Sequence, residues 1–152
     1  EMSRAKTGAL IVIEQNVRLD EYERTGIVID SVLTSQILIN IFEHNTPLHD
    51  GAVIVRGNRI TAATCYLPLS DNMLLSKELG TRHRAGVGIS EVTDSLTVIV
   101  SEETGAISVA YKGELMRKLT AEELKKLLVM AQNKTAAQKK FRLWKGWNKN
   151  EA

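Results

Sequence analysis

Apolar residues come in runs of at most five along this chain, broken by short polar loops, and their spacing alternates between two periods. Ala9–Ile13 is a β-branched run and predicts a buried strand. Residues 31–44 carry Val32, Leu33, Ile37, Leu38, Ile41 and Phe42 at helical spacing, with Ser31 or Ser35 as the N-cap. A polar, proline-containing loop follows over 45–51. Residues 52–55 and 60–64 flank Arg56-Gly57-Asn58-Arg59 and predict a β-hairpin. Leu96–Val100 and residues 107–110 are two more strands joined by the loop 101–105, and 112–116 is a further strand after a turn at Gly113. Thr120 and Glu123 form a capping box, and Leu124, Leu127, Leu128 and Ala131 then share one helical face. Residues 81–89 read two ways. Thr81 can cap a helix, while Ala85, Val87 and Ile89 also fit strand alternation. Helices mixed with sequence-adjacent strands predict an α/β fold, a mixed β-sheet core flanked by helices.

Charge divides the chain. Residues 1–133 hold 14 Lys and Arg against 17 Asp and Glu, whereas residues 134–152 hold 6 against 1. With no linker between 8 and 130, this predicts one domain over 1–133 and a basic tail over 134–152. Both tryptophans, Trp144 and Trp147, stand in that tail among Lys and Arg, a composition that suits a frayed, solvated terminus or a helix packed on the domain, and that could touch anionic lipid or nucleic acid. Cys65 is the only cysteine, so no intrachain disulfide forms, as in a reducing compartment. No apolar run is long enough to span a bilayer. Glu1 precedes Met2, so the sequence is expected to be a piece of a longer chain.

Three loops carry candidate chemistry. His49-Asp50-Gly51-Ala52 places a carboxylate and an imidazole, groups that hold divalent cations or orient a hydroxyl, beside a glycine that allows close backbone approach. An ordinary Asp-Gly turn explains the same residues. Gly80-Thr81-Arg82-His83-Arg84 offers guanidinium forks suited to phosphate oxygens, or simply a solvated basic turn. Ser101-Glu102-Glu103-Thr104-Gly105 could hold a cation and phosphate unit, or could be an acidic hairpin loop. Each loop ends a strand or opens a helix, where α/β folds place ligands. Together they suggest a nucleoside triphosphate with a metal. No P-loop and no Gly-x-Gly-x-x-Gly run is present, so phosphate would be held in a non-standard way.

As an ordered set, Asp50-Gly51-Ala52, Arg82-His83-Arg84 and the segment 101–108, with the opening 8–14, resemble the diadenylate cyclase family over residues 5–130. The match is nearer to its membrane-anchored type than to its DNA-scanning type. The resemblance implies an enzyme, a nucleotidyltransferase that condenses two ATP into cyclic di-AMP across a face-to-face homodimer. It implies Asp50, Arg82 and Arg84 as catalytic residues. ATP would contact Gly51, Ala52, Tyr66, Leu67, Gly80, Thr81, Arg82, His83, Arg84, Ser101, Glu102, Thr104 and Gly105, with Tyr66 and Leu67 at the adenine. His49, Asp50 and Glu102 would hold a divalent metal, Mn²⁺, Mg²⁺ or Co²⁺. It further implies regulatory protein partners, no nucleic acid, and a full-length protein anchored at the cytosolic face of the bacterial cell membrane by an N-terminal segment outside this sequence, the fragment itself being soluble. A nucleotide sensor without catalysis, and a module binding lipid or nucleic acid through its tail, are the competing readings.

Overall fold

The structure is a computed structural model that describes residues 1–133. It divides into two units, Glu1–Leu119 and Thr120–Ala152. The sequence boundary expected at residue 133 therefore falls inside the second unit, and the tail expectation lies outside the described residues. In chain order the elements of the first unit are α1 (Met2–Ala5), β1 (Ala9–Ile13), α2 (Asp20–Glu23), β2 (Ile27–Val32), α3 (Ser35–Phe42), β3 (Ala52–Arg56), β4 (Arg59–Cys65), α4 (Thr81–Val92), β5 (Leu96–Val100), β6 (Ile107–Tyr111) and β7 (Glu114–Leu119). The second unit holds α5 (Ala121–Gln132), opened by the expected capping box: the Thr120 hydroxyl accepts from the Glu123 amide, and the Thr120 amide donates to the Glu123 carboxylate.

The expected helix over 31–44 is shorter than its pattern. Ser31 and Val32 belong to β2, and Thr34, not Ser31 or Ser35, caps α3 by accepting from the Ile37 amide at 3.2 Å. Val32 and Leu33 continued the helical spacing by chance, while the run Ile27–Ile29 already favoured a strand. The last strand begins at Glu114 rather than 112, because Lys112 (φ 47°) and Gly113 (φ 78°) are the two left-handed residues of a tight hairpin turn. Helices α1 and α2, four residues each, are too short to show a period in sequence.

The seven strands form one sheet in the order β2-β4-β3-β1-β5-β6-β7. Only β1 and β3 pair in parallel; every other pair is antiparallel. This mixture is the expected fold class, and it gathers distant loops. Ala9 pairs with Val100, Val100 with Ile107, and Ala52 with Cys65. The starts of β1, β3 and β6 and the ends of β4, β5 and β7 thus share one edge of the sheet.

Helix α4 lies against β5, β6 and β1. The small residues that made 85–89 ambiguous explain the packing. A Cβ on Gly86 would come within 2.8 Å of Ile99, and one on Gly88 within 1.9 Å of the Pro68 carbonyl oxygen. Glycine here permits contact, at a cost in intrinsic helix propensity that burial of Val87 and Ile89 offsets.

At the opposite edge, Glu14 is buried and takes a bidentate ion pair from Arg56 at 2.8 Å, plus the Leu19 amide at 3.0 Å. Arg56 also meets Asp20 and Glu23. Burial pushes the Glu14 carboxyl up, but Arg56 and the Leu19 amide outweigh it and leave the group below its ordinary value.

Candidate active site

A cavity of about 760 Å³ opens at the edge where the loops converge. That size falls in the range of small-molecule sites, about 300–1,000 Å³. Its wall includes His49, Asp50, Gly51, Tyr66, Leu67, Gly80, Thr81, Arg82, His83, Ser101, Glu102 and Thr104. These twelve sequence candidates come from three separate loops and the end of β4, and the sheet order alone brings them together.

The Asp50 loop reaches the cavity through a strained turn. Gly51 has φ 88°, and a Cβ there would sit 2.9 Å from the Thr64 carbonyl carbon. The glycine therefore serves approach to β4 as much as approach to a ligand. The His49 Nδ1 lies 2.6 Å from the Thr46 carbonyl, which can only accept, so Nδ1 carries the proton. The other ring nitrogen, Nε2, faces Asp50, whose Oδ1 is 3.4 Å away. A ring nitrogen and a carboxylate so placed suit a shared proton or cation. Asp50 itself is 86% exposed at the rim.

The basic loop opens α4. Gly80, not Thr81, is its N-cap, and no side chain caps the first turn. Arg82 lies flat over Gly8: a Cβ on that glycine would be 2.6 Å from Nη1 and 2.7 Å from Cζ. Nη1 pairs with Glu102 at 3.1 Å, while the buried Nε has no hydrogen-bond partner. An orphaned guanidinium donor at a cavity wall is complementary to an anionic oxygen. His83 is buried, and burial, then Arg117, then Arg82 hold it below its ordinary value, so it stays neutral near pH 7.

The acidic loop is organised by Ser101. Its Oγ accepts from the Glu103 and Thr104 amides, and its carbonyl accepts from Gly105. Ser101 itself lines the cavity.

The structure does not bring three candidates to the wall. Ala52 is buried in β3 against Cys65. Arg84 is half-buried on α4, and its carbonyl accepts from Ser70. Gly105 (φ 76°) shapes its loop, with its carbonyl bonded by the Ser3 hydroxyl at 2.6 Å. Nor do His49, Asp50 and Glu102 gather as one metal cluster: no group of three His, Cys, Asp or Glu residues among the described residues could hold an ion, and Glu102 is turned to Arg82. Cys65 and Arg117 also line the cavity, as do Glu103 and Ser108 of the segment 101–108. Glu103 had a signal, standing inside a motif already marked. Arg117 had none, since only strand pairing carries it there. Burial, with Glu23 nearby, pushes the Cys65 thiol up to about 12, so it is no nucleophile.

The family described as DisA bacterial checkpoint controller nucleotide-binding, abbreviated DAC, matches residues 1–115. The chain belongs to this DAC family. It is 60% identical over 127 residues to the cyclic di-AMP synthase CdaA of Bacillus subtilis (strain 168), covering 84% of this chain and 46% of that protein. It is 54% identical over 147 residues to the diadenylate cyclase of Listeria monocytogenes, covering 95% of this chain and 54% of that protein. The chain spans about half the length of these relatives. The crystal structure of a double mutant of DacA from Staphylococcus aureus superposes with a TM-score of 0.84 at 53% identity, covering 86% of this chain and 87% of that one. A structure described as a hypothetical membrane spanning protein from Bacillus cereus gives 0.76 at 45% identity, covering 78% of this chain and 58% of that one. No helix among the described residues is long and apolar enough to cross a membrane.

Proposed function

We propose that this DAC domain condenses two ATP molecules into cyclic di-AMP and two pyrophosphates. The observation that carries this reading is a cavity with one set of phosphate-binding groups and a carboxylate, Asp50, standing exposed at its rim. One such cavity suits one ATP. Its nucleotide and its Asp50 can then face those of a second domain related by two-fold symmetry, the commonest relation in homo-oligomers.

In each of two equivalent steps, a ribose 3′-oxygen attacks the α-phosphorus of the ATP in the opposite domain. The new O–P bond forms as the bond to pyrophosphate breaks, and the hydroxyl proton passes to Asp50 or to water. Phosphoryl transfer asks the protein mainly for alignment and charge stabilisation. Tyr66 and Leu67 border the nucleoside. Arg82, with its unpartnered Nε, and the Ser101 hydroxyl suit the triphosphate. Neutral His83 can donate a hydrogen bond without adding charge.

The donors present fit a hard divalent cation, Mn²⁺, Mg²⁺ or Co²⁺. Mg²⁺ is usually held by one or two carboxylates together with substrate phosphates rather than by a full protein cage. His49 Nε2 and the Asp50 carboxylate would hold it. When bound, the ion offsets the charge that develops on the leaving pyrophosphate. In the longer protein the domain is held at the cytosolic face of the cell membrane; the half-length match to CdaA and the likeness to a protein described as membrane-spanning support this.

The test is incubation with ATP and Mn²⁺ followed by mass spectrometry. Cyclic di-AMP is expected, with specific activity that rises with protein concentration and then levels off. ATP binding without product would favour a nucleotide sensor. Constant specific activity from nanomolar to high micromolar protein, with a monomer by light scattering, would refute the two-domain arrangement.

A further inference from the structure

We infer that Arg117 is a second guanidinium of the triphosphate site, contacting the terminal phosphates that leave as pyrophosphate; this rests on the proposed use of ATP. The argument begins with charge. Four carboxylates, Asp50, Glu78, Glu102 and Glu103, line the cavity, against two guanidinium groups, Arg82 and Arg117. A wall so acidic repels a triphosphate unless its cations are free to meet it. Arg82 is partly occupied by its 3.1 Å pair with Glu102. Arg117 makes no ion pair among the described residues, and Arg84 does not reach the wall.

Position points the same way. Arg117 lies on β7, where Leu119 pairs with Ile107 at the start of β6, directly after the Ser101 to Ala106 loop. It therefore stands on the phosphate side of the cavity, away from Tyr66 and Leu67. It is near enough to His83 to be felt there as a charge. Arg117 and Leu79 also line a second depression, of about 450 Å³, bounded by Leu74, Ser76 and Gly113. Arg117 thus stands between the cavity and this second depression. A long guanidinium between the two can hold the end of a triphosphate and let it depart. An exposed cation on an edge strand is ordinary by itself; its place on the cavity wall, with no ion pair among the described residues, is what leaves it free for an anionic ligand.

The test compares 3′-deoxy-ATP, which lacks the nucleophile and is not consumed, with 3′-deoxyadenosine, by calorimetric titration of wild type, Arg117→Ala and Arg117→Lys. Arg117→Ala is expected to weaken 3′-deoxy-ATP binding about tenfold or more, the usual size of a lost charge-assisted contact. The nucleoside should bind as before, and Arg117→Lys should recover part of the loss, since it keeps the charge without the fork. A change under about threefold for 3′-deoxy-ATP overturns the inference, as does an equal loss for both ligands, which would mean distortion of the cavity. Wild-type protein that fails to bind 3′-deoxy-ATP would remove the ATP reading itself, an outcome distinct from a wild type that binds it and a variant that binds it equally well.

Discussion

Gly8→Ala should separate nucleotide binding from stability. The methyl group would enter 2.6 Å from Arg82 Nη1 and 2.7 Å from Cζ, against an ordinary contact of about 3.5–4.0 Å. The obstacle is the far end of a flexible side chain, so the guanidinium retreats by about 1 Å and the backbone stays in place. Retreat breaks the 3.1 Å pair with Glu102, whose side chain is 60% exposed. A pair that open to water is worth about 0–1 kcal/mol. Replacing glycine where φ is unstrained returns about 0.4–1 kcal/mol through the unfolded chain. Urea unfolding without nucleotide should therefore change by less than about 1 kcal/mol. The same displacement removes Arg82 from the phosphates, at about 1.5–3 kcal/mol, so 3′-deoxy-ATP should bind roughly tenfold or more weakly by calorimetry. A double-mutant cycle sharpens the test. With Arg82→Ala already present, Gly8→Ala should have no further effect on binding, because nothing is left to displace. Unchanged affinity in the single variant, or additive losses in the double, would refute the role given to this contact.

Gly88→Ala should be far more costly to the fold, since its Cβ would meet the backbone of Pro68 and Ser70 at 1.9–2.9 Å rather than a movable side chain; urea unfolding should show a loss of about 3 kcal/mol, and a loss under about 1 kcal/mol would mean the loop yields freely. Asp50→Asn should lower the rate of cyclic di-AMP formation by about 10²–10⁴-fold while 3′-deoxy-ATP still binds, and more than about a tenth of wild-type rate would contradict the role. Acid should weaken the fold in two stages. His83 is held below its ordinary value, so the unfolded chain takes the proton first and stability falls as pH drops from the ordinary histidine range through the folded value. Glu14, also held low, contributes stability that is present above the ordinary carboxyl value and lost as pH falls through the folded one. Urea midpoints across this range should decline in both windows, with His83→Gln flattening the upper one; a flat wild-type profile there would count against the buried neutral imidazole.

Much of the local structure was legible in the residues themselves. Ala9–Ile13 and Leu96–Val100 are strands because five adjacent apolar or β-branched residues leave no polar face to turn outward, and both strands are buried inside the sheet. The capping box at Thr120 is a four-residue signal and needed nothing else. The loops at Asp50, Arg82 and Ser101 were visible because their chemistry is local: a carboxylate, a guanidinium or a glycine stands out wherever it occurs. Tertiary structure decided everything that depends on proximity. The periods of 85–89 could not choose between helix and strand, and the choice came from Gly86 and Gly88 accepting Ile99 and Pro68 at close range. Arg82 and Arg84 read alike in sequence, yet residues two apart on a helix point about 200° away from each other, and α4 puts one over Gly8 at the cavity and the other away from it. Glu102 read as a metal ligand, but the strand order set it within reach of Arg82. Arg117 carried no signal, because an exposed arginine on an edge strand is ordinary until pairing of β6 with β7 carries it to the cavity. Side-chain identity limits what a residue can do, and the distances that select among those possibilities arise only when strands far apart in the chain become neighbours.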